Sequence, residues 1–361
     1  MSGPSLNLPP LPGELASSWL FRLAQARGDT PHGLARTIWG NGIAWTRDLD
    51  RSLSTHQQHA VANYASVPFS TVVGTTLQFA ELRCANGRRA PAVAPGILAV
   101  GVYHRRRRLR GQQVCAECLN EDAAPHYRQQ WRLSFVFACV HHSCLLLDAC
   151  RVCGSPISAY RPSHVGLDRC GECGSPLSRG SSTPCNPHAL ATQRQLLKAW
   201  QSDRFCSKPL DLTFAEWLAG LRIMFSASAR SNGAPGLWAD AHDSCADAKR
   251  ENPPLELSTT ERRTLGLSAI VPLTLDWPTR FLQTVRRHDL TQGMVVHPLR
   301  KFAPGWLEST IRTHIRPSAK RKRRAKKCPR SKVSKRKALA HSDASARISE
   351  RLDRVLGRND K

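Results

Sequence analysis

Eight side chains able to bind a borderline-soft metal ion stand in four pairs between residues 115 and 173, two residues apart within each pair. The pairs are Cys115 and Cys118, Cys139 and His142, Cys150 and Cys153, and Cys170 and Cys173. Two intervening residues let one tight turn aim both donors at a single ion, and two such turns complete a tetrahedron. Paired in sequence order, the eight predict two structural Zn2+ ions. The second site carries an internal repeat, C-R-V-C-G-S-P-I-S at 150–158 against C-G-E-C-G-S-P-L-S at 170–178. A glycine after the second cysteine accepts a positive φ, which predicts backbone amides turned toward the thiolates and short strands between the turns, the zinc-ribbon pattern. The first site instead spans a stretch rich in β-formers, Trp131–Phe137, and His141 and Cys144 lie near enough to compete with His142 and Cys139.

Other uses of these residues need other surroundings. Disulfides require an oxidising compartment, and Met1–Trp19 has neither the basic nor the apolar region of a secretory leader. Iron–sulfur ligation shares some of the spacing, but paired knuckles favour zinc. A catalytic zinc keeps three protein ligands and an open position, whereas each site here offers four candidates; the deaminase H-x-E with P-C-x-x-C pattern is missing. There is no G-x-x-x-x-G-K-[ST] phosphate loop. Acidic residues form no metal-binding triad, and Tyr64, Tyr103, Tyr127 and Tyr160 sit in no nucleophilic setting. The expectation is a protein that is not an enzyme.

Charge names the partner class. The 361 residues carry a formal net charge of +26, and residues 316–337 alone hold 13 Lys or Arg with no acid, which leaves about +13 on the rest. A basic body with a basic tail predicts nucleic acid. Candidate phosphate contacts are Lys320, Arg321, Lys322, Arg323 and Arg324 in the tail and the strip Arg105, Arg106, Arg107 and Arg108. No membrane span is expected: the longest mainly apolar run, Ala90–Tyr103, is too short and contains two prolines and two glycines.

The elements that must position these residues are mainly helical. Leu15, Trp19 and Leu23 share a helix face that Gly28 closes, and Thr30-Pro31 restarts a helix as cap and first-turn proline. A helix over Thr55–Ala65, a turn at Ser66–Pro68 and a second helix from Phe69 to about Phe79 outline a helix-turn-helix. Beyond Cys185, Asn186-Pro187, Thr213 with Glu216, Ser258 with Glu261, and Asp276 read as helix starts, and the stretch 227–254 as a loop. Cys84, Cys206, Cys245 and Cys328 fit no pair, and residues 345–356 could form a short amphipathic helix. The expected organisation is mainly α with small β zinc ribbons. It comprises a helical region at 1–105, tandem zinc-binding ribbons at 106–185, a second helical region at 186–315 and a basic tail at 316–361.

Two blocks resemble a known family. The opening L-P-P-L-P-G-E-L-A-S-S-W-L-F-R-L-A at 8–24 resembles the P-x-P-x-E-x-x-x-S-W-L-x-R-L-A start of the TniQ/TnsD family. So does the middle block of Cys115-x2-Cys118, Tyr127, Trp131-Arg132, Cys139-x2-His142, Leu145–Leu147 and Cys150-x2-Cys153-Gly154. The resemblance covers about residues 8–178 and implies a bacterial, cytoplasmic and nucleoid-associated accessory factor in transposition. Such a factor helps choose the target site, contacts DNA and engages an AAA+ ATPase of the TniB/TnsC type, through which the transposase is recruited. It also implies an ATPase-contacting surface around Trp19 and allows a homodimer. The alternative reading is a zinc-ribbon transcription regulator that binds DNA on its own.

Overall fold

Pro9, Pro10 and Pro12 keep the chain extended until Leu15, where the first helix can begin. In a computed structural model of the chain, the residues described are 8–41, 43–85, 93–103, 106–107, 109–159, 166–227, 253–296 and 303–317. They belong to the first of two units, Met1–Ser318. The expected mainly helical character holds, with two small two-stranded sheets added.

The N-terminal helices are α1 (Ala16–Ala26), α2 (Pro31–Trp39), the single turn α3 (Leu49–Ser52), α4 (Thr55–Ala65), α5 (Phe69–Gly74) and α6 (Gln78–Cys84). Thr30 caps α2 by accepting from the Gly33 amide, and Gly28 sits at φ +66° just past α1. Ser54 and Gln57 form a capping box on α4, and Ser66 turns the chain in the left-handed region before Pro68. The helix expected from Phe69 to Phe79 is broken in two. Thr75 and Thr76 turn their hydroxyls back onto the carbonyls of Val72 and Val73, at 2.7 and 2.8 Å, and the Thr75 carbonyl accepts from Ala16 instead of continuing the helix. Helices α1 to α5 enclose a small core of Trp19, Leu23, Leu34, Trp45, Val61 and Val72.

The middle of the chain holds little regular structure. Strands β1 (Val102–Tyr103) and β2 (Arg106–Arg107) pair antiparallel, and α7 (Ala116–Glu121) begins at the first metal-type cysteine. The Trp131–Phe137 stretch, rich in β-formers, opens in a 3-10 turn (Gln129–Arg132) and then runs as buried irregular chain. Its polar backbone is satisfied by side chains arriving from elsewhere: Arg263 donates to the carbonyls of Ser134 and Val136, at 2.9 and 2.8 Å. Apolar β-formers here supply burial, while long-range partners replace the ladder.

The C-terminal helices are α8 (Pro187–Ser202), α9 (Phe214–Ala227), α10 (Thr260–Ile270), α11 (Thr279–Arg287), α12 (Gln292–Val296) and α13 (Gly305–His314). Asn186 caps α8, and Thr213 with Glu216 closes a reciprocal box on α9. Two caps differ from expectation. Thr259, not Ser258, caps α10, because the Ser258 hydroxyl is spent on the Pro253 and Pro254 carbonyls. Pro278, not Asp276, stands at the start of α11. Between α8 and α9 an unanticipated hairpin, β3 (Arg204–Ser207) with β4 (Leu210–Thr213), carries Phe205 onto Trp217 in a stack with centroids 3.9 Å apart. Most of the expected 227–254 loop, the 345–356 helix, Cys245 and Cys328 lie outside the described residues. Among the described residues no helix is long and apolar enough to cross a membrane.

Candidate metal centres

The eight donors gather into two groups, Cys115, Cys118, Cys139 and His142, and Cys150, Cys153, Cys170 and Cys173; within each, all ligand atoms lie within 4.8 Å of one another. Tetrahedral zinc with Zn–S of about 2.3 Å places neighbouring sulfurs about 3.8 Å apart. The separations fit. Cys118 and Cys139 sulfurs are 3.6 Å apart, and His142 Nδ1 stands 3.4 Å from Cys115, 3.4 Å from Cys118 and 3.5 Å from Cys139. In the second group the Cys150–Cys173 and Cys153–Cys170 sulfurs are each 3.7 Å apart.

Proton sharing supports the same conclusion. Hydrogen bonding with Cys118 pulls the Cys115 thiol down to about 7, while Cys118 itself is pushed up by the same crowding. Hydrogen bonding to Ser175 lowers Cys173 to about 6, while burial raises Cys170. Burial works against charge on His142, but its hydrogen bonds to Cys139 and Glu121 prevail and bring it up to about 9. Three or four thiolates this close cannot all stay ionised without a cation between them. A divalent ion of zinc type resolves that conflict and would supply structural ligation, its binding energy becoming folding energy.

Each group is supported differently. In the first, Cys115 opens α7 and its sulfur accepts the Cys118 amide at 3.4 Å; one turn on, Glu121 meets His142 Nε2 at 2.9 Å. A carboxylate on the far ring nitrogen fixes the tautomer that ligates through Nδ1. Sequence reasoning missed Glu121, although its position three residues after Cys118 on a helix placed it on the same face. Of the two competitors, His141 is exposed and outside the group. Cys144 is buried, 3.8 Å from the Cys115 sulfur, because its carbonyl accepts the Cys139 amide in the same turn.

In the second group the repeat is reproduced atom for atom. Cys150 and Cys170 sulfurs each accept an amide at 3.4 Å, from Val152 and Glu172, and Gly154 and Gly174 sit at φ +70° and +69°. The expected amide-to-thiolate bonds thus come from Val152 and Glu172, two residues before the glycines, whose own amides donate to the Cys150 and Cys170 carbonyls. Single bridges, Ala149 with Pro156 and Arg169 with Pro176, close the turns. Arg151 and Arg169 hold carbonyls of Gly180 and Gly174 at 3.1 Å and offset the excess negative charge that four thiolates around one dication would carry.

The other expected site residues are placed as follows. Arg106 and Arg107 form β2; Arg105, Arg108 and Lys320 to Arg324 lie outside the described residues. Trp19 is wholly buried, its indole N–H donating to the Leu8 carbonyl at 2.8 Å, so it has no face to offer a partner. The motif residues around it act internally. Glu14 accepts from Ser18 at 2.7 Å and from Arg22 at 2.9 and 2.8 Å. Tyr127 ties α1 to the second metal group: its amide donates to Ser18, its carbonyl accepts from Leu15, and its hydroxyl donates to Leu167 at 3.1 Å.

Two groups that could each hold a metal ion, set in a mainly helical chain, define a candidate metal-binding protein. Comparison adds a likeness over part of the chain: a TniQ family model matches residues 5–146. No curated protein matches the chain.

Proposed function

We propose that this protein is a non-enzymatic DNA-binding adaptor in transposition, linking target DNA to an AAA+ ATPase of the TniB/TnsC type and through it to the transposase. The observation that carries the reading is the TniQ match over 5–146, which ends just past the last ligand of the first metal group. In this reading the two groups are structural zinc ribbons, each set of turns being too slight to fold alone. The four-region division at 105, 185 and 315 is part of the same proposal, as are DNA contacts by Arg105–Arg108 and the tail. The α4–turn–α5 outline is retained as a helix-turn-helix candidate, with α5 only six residues long. With Trp19 buried, the partner surface is assigned to the segment around it rather than to its side chain.

The test is metal content by mass spectrometry on the purified chain, with Cys118→Ser and Cys173→Ser variants. Two zinc ions per chain, falling to about one in each variant, is expected. A metal-free yet folded wild type would remove the structural-zinc reading. Tight duplex binding with regulation of a promoter and no ATPase capture would instead favour the transcription-regulator alternative.

A further inference from the structure

We infer that the outer face of α8 is a second DNA-contacting surface, a helix presented to duplex DNA and held in place by the first metal group; the inference rests on the DNA-adaptor reading above. Helix α8 is the longest among the described residues, 16 residues or about 24 Å, and contains no acidic residue. Ala191, Arg194, Gln195, Lys198 and Gln201 are all exposed and follow one another along a single stripe. Small, amide and cationic side chains in one row are the types that meet base edges and phosphates, and the major groove admits a helix.

Much of the arginine charge held inside the fold is neutralised there. Arg22, Arg51, Arg132 and Arg222 are matched to Glu14, Glu81, Asp50 and Glu256. Arg194 and Lys198 make no ion pair among the described residues, so their charge faces outward in full. The acids that approach from packed elements are few: Glu261 is exposed on α10, while Asp203, just past α8, is paired with Arg83 and Asp211 with Arg204.

The opposite face is anchored as a reading helix must be. Gln193 is fully buried; its Oε1 accepts the Phe137 and Ala138 amides at 2.7 and 2.8 Å, and its amide donates to the Ala138 carbonyl at 2.9 Å. Ala138 immediately precedes Cys139, so one side chain couples the position of α8 to the metal turn. Trp200 further fixes the helix against Phe135 and Phe214, at 5.6 and 5.4 Å.

The experiment is amine-reactive labelling of the full chain, read by mass spectrometry with and without saturating duplex. Lys198 is expected to lose labelling, while Lys208 in the β3–β4 turn keeps it. In parallel, R194Q/K198Q should reduce the log-log salt slope of duplex binding by about 1.8 and weaken affinity roughly tenfold. Unchanged Lys198 labelling with protected tail lysines would overturn the α8 assignment and leave the adaptor reading standing. Absence of any duplex binding by the wild-type chain would overturn both.

Discussion

Arg132 shows what the family-resembling residues do. Its guanidinium is wholly buried and donates to Asp50 at 2.9 Å, to Asp48 at 2.6 Å and to the Leu98 carbonyl at 3.0 Å; Asp50 in turn accepts the Ser17 amide and hydroxyl. Burial pulls against its charge, and the two carboxylates more than restore it. It therefore joins α1, α3 and the chain before the first metal group by charge-assisted bonds in a low-dielectric setting. Removing one partner strands the others, so Arg132→Met should destabilise the fold by about 3–5 kcal/mol in urea titration. A loss under about 1 kcal/mol would mean that water reaches Asp50. Arg263 is a contrasting case: burial draws it down to about 10, and its close partners are carbonyls, Gln113 and Thr260 rather than an acid.

At the scale of elements, the turns and caps were legible because their chemistry is local. An x2 pair, a glycine at positive φ, or a Thr-Pro start acts within four residues, and the ligand groups, α2, α4 and α8 appear where those signals stand. The rest depended on partners distant in sequence. Nothing near Thr75 announces that Ala16 will take its carbonyl, and nothing near Phe137 announces Gln193. The β3–β4 hairpin was hidden because its strands are four residues each and gain their stability from Phe205 packing on Trp217. The Gln193 clamp carries a prediction of its own. Gln193→Met leaves two buried amides unsatisfied and should cost about 1–3 kcal/mol. It should also speed metal release from the first group, seen with a chromophoric chelator as acceleration of one phase; equal rates in variant and wild type would uncouple α8 from the metal turn.

For the whole molecule, the two metal groups are unequal. Cys153 and Cys173 are exposed, whereas Cys115, Cys118 and Cys139 are buried. Chelator should therefore strip zinc in two phases, the second group first, and Cys173→Ser should remove the fast phase alone. The basic tail supplies affinity without sequence choice in the adaptor reading. Deleting residues 316–337 should weaken duplex binding for all sequences and flatten its salt dependence by about 0.9 for each phosphate no longer neutralised. The two metal-type groups, the Tyr127 link to α1 and the Gln193 link to α8 together connect residues 5–146, which the TniQ model matches, to the helices that follow.

The most direct test of the adaptor account is capture of an AAA+ ATPase of the TniB/TnsC type by the full chain, measured with and without target-length duplex DNA. The account predicts ATPase retention that rises with DNA and falls when Cys118 or Cys173 is replaced. Duplex binding with no ATPase retained under either condition would contradict it.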